Sequence, residues 1–382
     1  MKWLQSLVAM LFLCSCCTAG NRGSVSPDAG TRTPTDRNSG ADDRNSGADD
    51  RSSLDLPSAP ETGLLEPVVN TAYEARVLAL IESAESTLRI VHFSCNDDST
   101  VDKIVDALKD AAQRGVDVQM LMEGDLEDNL VRVKELTAAG IKAKVDTDKR
   151  YTHAKLVVAD RRRALFGSTN FSYMSIRYNN ETNLYIDLPA AGSFFHDYAD
   201  SLWNDPEKTP VLTAVSDTAI GLVKTLKSGD YVAAATPLLE GAKERIDLLV
   251  YGYNLNPKYP DSDVHKLTAL IVEAHKRGVK VRILLEASDY NDTLNELNQK
   301  VADHYGAACI PVRFDPIDTI SHAKLLLVDG TAIVGSNNWG HGGFQLYQEV
   351  GAVTDAPAAI STLSAYYDSI WDEGSAASSA CR

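Results

Sequence analysis

The 382 residues are 44% apolar, enough to bury a large core, and the length allows two or three domains. The formal net charge is −16; the first 62 residues hold six basic and eight acidic side chains, so −14 falls on the remainder. A nucleic-acid groove ordinarily shows as net basic charge or a basic stripe, and this balance weighs against one.

The chain starts with one basic residue, Lys2, and the apolar run Trp3–Leu13. That run is too short to span a bilayer and fits a secretory signal peptide. It ends in Leu13-Cys14-Ser15-Cys16, which resembles the bacterial lipobox. The resemblance implies a signal peptide over 1–15, lipidation of Cys16 and an exported, membrane-anchored lipoprotein of the cell envelope. Cleavage near Ala19-Gly20, leaving a secreted or periplasmic protein, is the alternative. Residues 16–63 are rich in Gly, Ser, Asp, Thr and Pro and repeat DRNSGAD at Asp36–Asp42 and Asp43–Asp49. Such a segment cannot build a core and reads as a flexible spacer.

Beyond the spacer the chain repeats itself. Ser86–Val91 and Arg245–Val250 read as strands, and Asp102–Gln113 and Val264–Lys276 as amphipathic helices. Arg114-Gly115 and Arg277-Gly278 end those helices, and a strand follows each, closing at Glu123 or Glu286. Strands alternating with crossover helices predict an α/β sandwich with a mixed sheet in each half. The halves are expected at 64–205 and 230–376, joined by a connector over 206–229 that Pro206 and Pro210 punctuate. They are expected to pack as one pseudo-twofold domain, since two separate beads would leave each site incomplete.

The segment Tyr151–Asn170, YTHAKLVVADRRRALFGSTN, places His153 and Lys155 on one strand face. Asp160–Arg163 reads as a hairpin turn, and the returning strand delivers Gly167, Ser168 and Asn170 beside the histidine. A second copy, Ile320–Asn338, supplies His322, Lys324, Asp329, Gly335, Ser336 and Asn338. Glu181 and Glu349 each follow the asparagine by eleven residues. The run Arg161-Arg162-Arg163 reads as a solvated turn or as a contact for anionic groups beside the cleft. Six cysteines match no zinc spacing, and the remaining histidines lack paired ligand spacing, so no metal or cofactor is predicted. In an exported protein Cys309 and Cys381 can pair, while Cys95 reads as a buried apolar position.

These residue types suit a phosphodiester. Its anionic oxygens repel nucleophiles, so the site needs fixed positive charge and hydrogen-bond donors around phosphorus. One imidazole can attack and a second, protonated, can donate to the leaving oxygen. Two HxKxxxxD motifs, each followed by GSxN and a glutamate, resemble the phospholipase D superfamily of two-motif phosphodiesterases over roughly Leu65–Asp372. The resemblance implies a metal-free mechanism through a phosphohistidine, with His153 as nucleophile and His322 as general acid and base. It implies phosphate contacts from Lys155, Lys324, Ser168, Asn170, Ser336 and Asn338, and orientation of the rings by Glu181 and Glu349. Asp160 and Asp329 complete the catalytic motifs and are expected to fix the turns. The expected function is phospholipase D-type hydrolysis or headgroup exchange on phospholipids. An exported nuclease and a cardiolipin-synthase-like phosphatidyltransferase are the alternatives. The expected partners are a phospholipid or other phosphodiester and, through the lipid anchor, a membrane surface. A monomer with an internal pseudo-dimer is the expected assembly.

Overall fold

The computed structural model describes residues 63–378 apart from 219 and 288–290, together with Cys381. The expected signal peptide, Cys16 and the tandem repeat lie outside the described residues.

The first half runs β1 (Leu64–Val69), α1 (Ala72–Glu82), β2 (Thr87–His92), α2 (Ser99–Gln113), β3 (Asp117–Met122), α3 (Glu127–Ala138), β4 (Lys142–Val145), β5 (Lys155–Ala159), β6 (Arg163–Gly167), α4 (Tyr173–Arg177), β7 (Thr182–Asp187) and α5 (Pro189–Asn204). The second runs β8 (Ser216–Asp217), β9 (Val223–Lys227), α6 (Tyr231–Gly241), β10 (Arg245–Val250), α7 (Asp263–Lys276), β11 (Lys280–Leu285), α8 (Asp292–Ala307), β12 (Val312–Phe314), β13 (Lys324–Val328) and β14 (Thr331–Gly335). A single π turn (Gly342–Leu346), β15 (Val350–Thr354), α9 (Pro357–Glu373) and β16 (Ser375–Ala376) complete it.

Helix ends follow local chemistry. Asp98 accepts from Thr100 N and Val101 N at the start of α2, satisfying donors that have no partner within the helix. Gly115 and Gly278 stop α2 and α7 with φ of 92° and 96°, a conformation that a Cβ disfavours.

The sheets are mixed, as expected. The first has the order β1-β7-β6-β5-β2-β3-β4, and the second β16-β12-β11-β10-β13-β14-β15-β9-β8. In each, three parallel strands (β2, β3, β4 or β10, β11, β12) adjoin an antiparallel hairpin, β5-β6 or β13-β14. Val223–Lys227, assigned by sequence to the connector, forms β9 and pairs antiparallel with β15, as β1 pairs with β7. The connector is therefore shorter than 206–229. Its prolines mark its start, but Val223–Lys227 carries the chain back into a sheet, with Val223 and Leu226 buried in clusters on its two faces.

Side-chain alternation gives each sheet two apolar faces. Leu156, Val158, Phe166 and Ile186 of the first sheet share one buried cluster with Leu325, Leu327 and Val334 of the second, with α5 and α9 contributing Phe195 and Leu363. Val157 and Leu165 point the other way, onto Val77, Ile104 and Leu108 of α1 and α2. Each such fully buried aliphatic side chain contributes roughly 1.5–3 kcal/mol relative to exposure. Because the inner cluster draws on both sheets, the halves form one domain. Cys309 and Cys381 form a disulfide, and Cys95 is buried and free.

The two motif aspartates sit at the hairpin turns, at the far end of β5 and β13 from the lysines. Five residues of extended chain separate Asp160 from Lys155, on the order of 15 Å. Asp160, at φ 53°, accepts from the backbone N–H of Glu85, Ser86 and Thr87 at 2.8–3.2 Å. Asp329, at φ 50°, accepts in the same way from Lys243, Glu244 and Arg245 at 2.8–3.0 Å. Burial opposes these charges, yet the three N–H groups outweigh it and hold both carboxyls below their usual range. Neither is a catalytic group. Each ties its hairpin to the loop entering β2 or β10, a long-range bond rather than a local one. The adjacent arginines are likewise engaged: Arg161 with Asp197, Arg162 with Asp187, Arg163 with Asp160. They lie at the turn and bring no positive potential to the histidines. Asp160→Ala is expected to cost about 2–4 kcal/mol in chemical denaturation, from the three donors left unmatched. Turnover by the folded variant should stay within about threefold of the parent, since local rearrangement at the turn is remote from the motif lysine. Lost turnover at unchanged stability would return Asp160 to the chemistry.

Candidate active site

The strands place the two histidines at one edge of the molecule. His92 is opposite Lys155 at the start of β5, and Val250 is opposite Lys324 at the start of β13, so His153 and His322 sit just ahead of the strands. At the same edge β6 and β14 end in glycine. A Cβ on Gly167 would lie 2.3 Å from Thr182 O, and one on Gly335 2.6 Å from Val350 O. Only glycine allows the next strand so close, and this brings Ser168 and Ser336 against Glu181 and Glu349.

The carboxylates cross between the halves. His153 Nδ1 meets Glu349 at 2.9 and 3.0 Å, and His322 Nδ1 meets Glu181 at 3.1 Å. A carboxylate only accepts, so Nδ1 carries the proton and each Nε2 keeps its lone pair. Ser168 Oγ donates to Glu181 at 2.5 Å, and Ser336 Oγ donates to Glu349. The serines expected at the phosphate thus hold the glutamates instead. The backbone crosses too. His153 N donates to Gln348 O at 3.0 Å, and Asn180 N donates to Ile320 O at 2.8 Å. Tyr198 Oη donates to Glu349 O, and Tyr366 Oη to Asn70 Oδ1, which also accepts from Glu181 N.

All six charged or titratable groups of the site are buried: His153, Lys155, Glu181, His322, Lys324 and Glu349 are each 4% exposed or less. Lys155 Nζ donates to His153 O at 2.5 Å and lies 4.8 Å from the Phe93 ring centre. Lys324 repeats this with His322 O and Tyr251. Burial pushes each imidazole down to about 4, against the pull of its glutamate, and both lysines add to the push on both rings. The crossed bonds of His153 to Glu349 and of His322 to Glu181 make the two motifs one centre. Burial works against the charge of Glu181, but His322, Lys324 and Ser168 hold it below its usual value. Asn170 is 3% exposed with its Oδ1 unpartnered, and Asn338, partly exposed, accepts from Gly252 N at 3.3 Å. The asparagines are placed at the mouth of this centre by the same strand ends.

Sequence reading missed four buried carboxyls behind the histidines: Glu123, Asp146, Glu286 and Asp315. A signal was present, since an aspartate precedes each motif histidine by seven residues. Gln348 was also missed; it accepts from Ser228 Oγ and donates to Pro206 O and Lys208 O, fixing the strand that bears Glu349. Among the described residues, one group has metal-ligand spacing, His196, Asp197 and Asp200. Arg161 and Arg89 already occupy it, at 2.8 Å from His196 Nδ1 and from Asp200, and it lies beside the hairpin turn, away from the histidines.

The sequence model of the family described as "Cardiolipin synthase, PLD-like domain" matches residues 77–203 and again 236–371. Cardiolipin synthase 2 of Bacillus cereus is 30% identical over 138 residues, 34% of this chain and 26% of that protein. Phospholipase D of Rickettsia prowazekii is 28% identical over 112 residues, 29% of this chain and 53% of that one. This chain thus matches only about a quarter to a half of those relatives' length. Phosphatidylserine synthase of Haemophilus influenzae has the same fold, with a TM-score of 0.67 at 13% identity over 83% of this chain and 88% of that one. Two family matches, each enclosing one histidine and the glutamate that serves the other, place the chain in the phospholipase D-like family.

Proposed function

We propose that this protein is a phospholipase D-type phosphodiesterase that hydrolyses phospholipids or exchanges their headgroups through a phosphohistidine. The observation that carries the reading is the crossed pair of glutamate-oriented imidazoles between two buried lysines. The names of the relatives favour a phospholipid over other phosphodiesters, and the net charge of −16 disfavours a nucleic acid.

The chemistry follows from the proton positions. The Nε2 lone pair of His153 attacks phosphorus; a P–N bond forms as the P–O bond to the leaving group breaks. His322, protonated on Nε2, gives that proton to the leaving oxygen. Neutral His322 then takes a proton from water or an alcohol, which attacks phosphorus and breaks the P–N bond. Both rings are neutral in the free protein near pH 7, because burial lowers them to about 4. The proton on His322 therefore comes with the substrate, whose anionic phosphate beside Glu181 favours the imidazolium. Lys155 and Lys324 face the charge on the phosphoryl oxygens. The order of roles follows the family resemblance, since geometry holds the two rings alike.

Choline or ethanolamine release from phospholipid vesicles should exceed cleavage of single-stranded or duplex nucleic acid by the same preparation, with chelator present. Nucleic-acid cleavage without lipid turnover would reverse the reading, and strict loss of activity with chelator would remove the metal-free mechanism.

Either His→Ala should lower steady turnover by roughly 10,000-fold or more, since attack and proton donation are both required. With a substrate whose leaving group needs no proton, acid-quenched His322→Ala should hold phosphate on His153, and His153→Ala should hold none. An adduct on His322 in the His153→Ala protein would exchange the roles.

The proposed setting is the cell envelope, with Cys16 lipidated. The Cys309–Cys381 disulfide supports an oxidising compartment. Cys16→Ser should move the protein from the membrane to the soluble fraction, and unchanged membrane association would reject the anchor.

A further inference from the structure

Two pairs of carboxyls remain once the reaction is assigned, at corresponding places in the two halves. Glu123 follows β3 and Asp146 follows β4; Glu286 follows β11 and Asp315 follows β12. All four are buried, with exposures of 1%, 8%, 0% and 2%. Within each pair the two residues adjoin, since Met122 pairs with Val145 and Leu285 with Phe314 in the parallel strands that they follow. Each pair also receives one backbone N–H, that of the residue before a motif histidine. Thr152 N lies 2.6 Å from Glu123 Oε2 and 3.0 Å from Asp146 Oδ2; Ser321 N lies 2.6 Å from Glu286 Oε2 and 2.8 Å from Asp315 Oδ2. The second oxygen of each aspartate is braced as well, Asp146 Oδ1 by Gly124 N and Asp315 Oδ1 by Ala287 N.

Two carboxylate oxygens that converge on one N–H in a buried site favour sharing a proton, because the few backbone N–H groups offset only part of their mutual repulsion and both have lost water. A single proton between them removes the repulsion and makes the carboxyl-to-carboxyl hydrogen bond. We propose that Glu123–Asp146 and Glu286–Asp315 are positioning pairs for His153 and His322, each active while its two carboxyls share one proton and disabled when that proton is lost. The proposal rests on the histidine chemistry proposed above.

The groups facing the first pair favour retention of the proton. Asp125 adds its charge to that of Asp146 on Glu123, while Tyr151 and Tyr347, the last from the other half, stand near as neutral hydroxyls. Lys149 and Arg150, the cations of the same loop, are turned to Glu207 and Thr209. Burial, then the Asp146 charge, pushes Glu123 up to about 9, and burial pushes Asp146 up to about 6 and Asp315 upward. Across the cavity beside Asp315 lies Glu373, another acid. A carboxyl whose proton is held this high keeps it at neutral pH and loses it as the pH rises through about 9. The loss leaves two buried charges on Thr152 N–H. The backbone of His153 is fixed from one side by that bond and from the other by Gln348 O at 3.0 Å, so expansion of the pair moves the ring off its line of attack.

Glu123→Gln tests this. Its amide can donate to Asp146 and accept from Thr152 N, with no proton to lose. Expected is a kcat at pH 7 within about threefold of the parent and an alkaline fall in kcat displaced upward or abolished. Glu123→Ala should lower kcat by about 100-fold with KM little changed, the cost of a small misplacement of the ring. An alkaline limb unmoved in Glu123→Gln, or a folded Glu123→Gln as slow as Glu123→Ala, would overturn the proposal. Infrared spectra of the unmutated protein supply a readout that needs neither substrate nor variant. A protonated-carboxyl carbonyl band should persist at pH 7 and vanish in the pH range where kcat falls. Absence of that band at pH 7 overturns the proposal whatever the variants do, whereas its presence in a protein without phosphodiesterase activity would reject the proposed function alone.

Discussion

Each motif imidazole is held by a carboxylate that the other half of the chain supplies, His153 by Glu349 and His322 by Glu181. The rest of the architecture answers to that exchange. A glutamate at the first residue ahead of β7 or β15 reaches the opposite histidine only if the two sheets abut with their hairpins aligned. The shared inner core achieves this by burying Leu156 and Phe166 against Leu325 and Val334. Neither His153 nor His322 has its tautomer fixed by its own half. An isolated half would present a neutral histidine free to carry its proton on either nitrogen, and the nucleophilic lone pair would be unspecified.

The same exchange sets the electrostatics. Two ammonium groups stand with two carboxylates and two imidazoles in a volume nearly closed to water. With the imidazoles neutral, the formal charges cancel, which is the arrangement that burial penalises least. An anionic phosphate disturbs that balance by one unit, and the group best able to restore it is an imidazole already bonded to a carboxylate. In the proposed reaction, substrate binding and proton uptake are thereby linked by charge. Positive charge is confined to the lysines beside the rings; the arginines of the hairpin turn are neutralised by Asp160, Asp187 and Asp197 at the opposite end of the sheet.

Duplication is strict where the chemistry needs it and loose elsewhere. Asn180 and Gln348 both bridge to the residue before the other half's histidine, Ser321 or Thr152. Ser168 and Ser336 each donate to their own half's glutamate while accepting the following backbone N–H. Between these fixed points α4 in one half is replaced by a π turn in the other, and Phe93 beside His153 by Tyr251 beside His322. The rings that line the two histidines are therefore unlike, although their hydrogen bonds are the same.

Much of this was legible in the sequence because it repeats within one chain. The doubled HxKxxxxD and GSxN motifs, the glutamates eleven residues on, and the paired Arg-Gly helix ends located the site, both hairpins and the α/β class. Local patterns do this well, since residues two apart on a strand share a face wherever that strand ends up. Cys309 and Cys381 were named as able to pair and do so, and Cys95, read as a buried apolar position, is buried and free. What the sequence left open is which partner each side chain takes. Asp160 was counted with the catalytic motif and expected to fix its turn by local bonds, yet five extended residues carry it away from Lys155 and onto the backbone of Glu85, Ser86 and Thr87. Ser168 looked like a phosphate ligand because it shares a face with Asn170, yet close approach of β6 and β7 at Gly167 turns it to Glu181. The crossing of Glu181 and Glu349 spans 141 and 196 residues, and the paired carboxyls behind the histidines come from strand ends 23 and 29 residues apart. Such partners are chosen by the packing of two sheets around one core. Spacing along the chain carries no record of that choice, because hydrogen bonds of a few ångströms depend on distance in space alone.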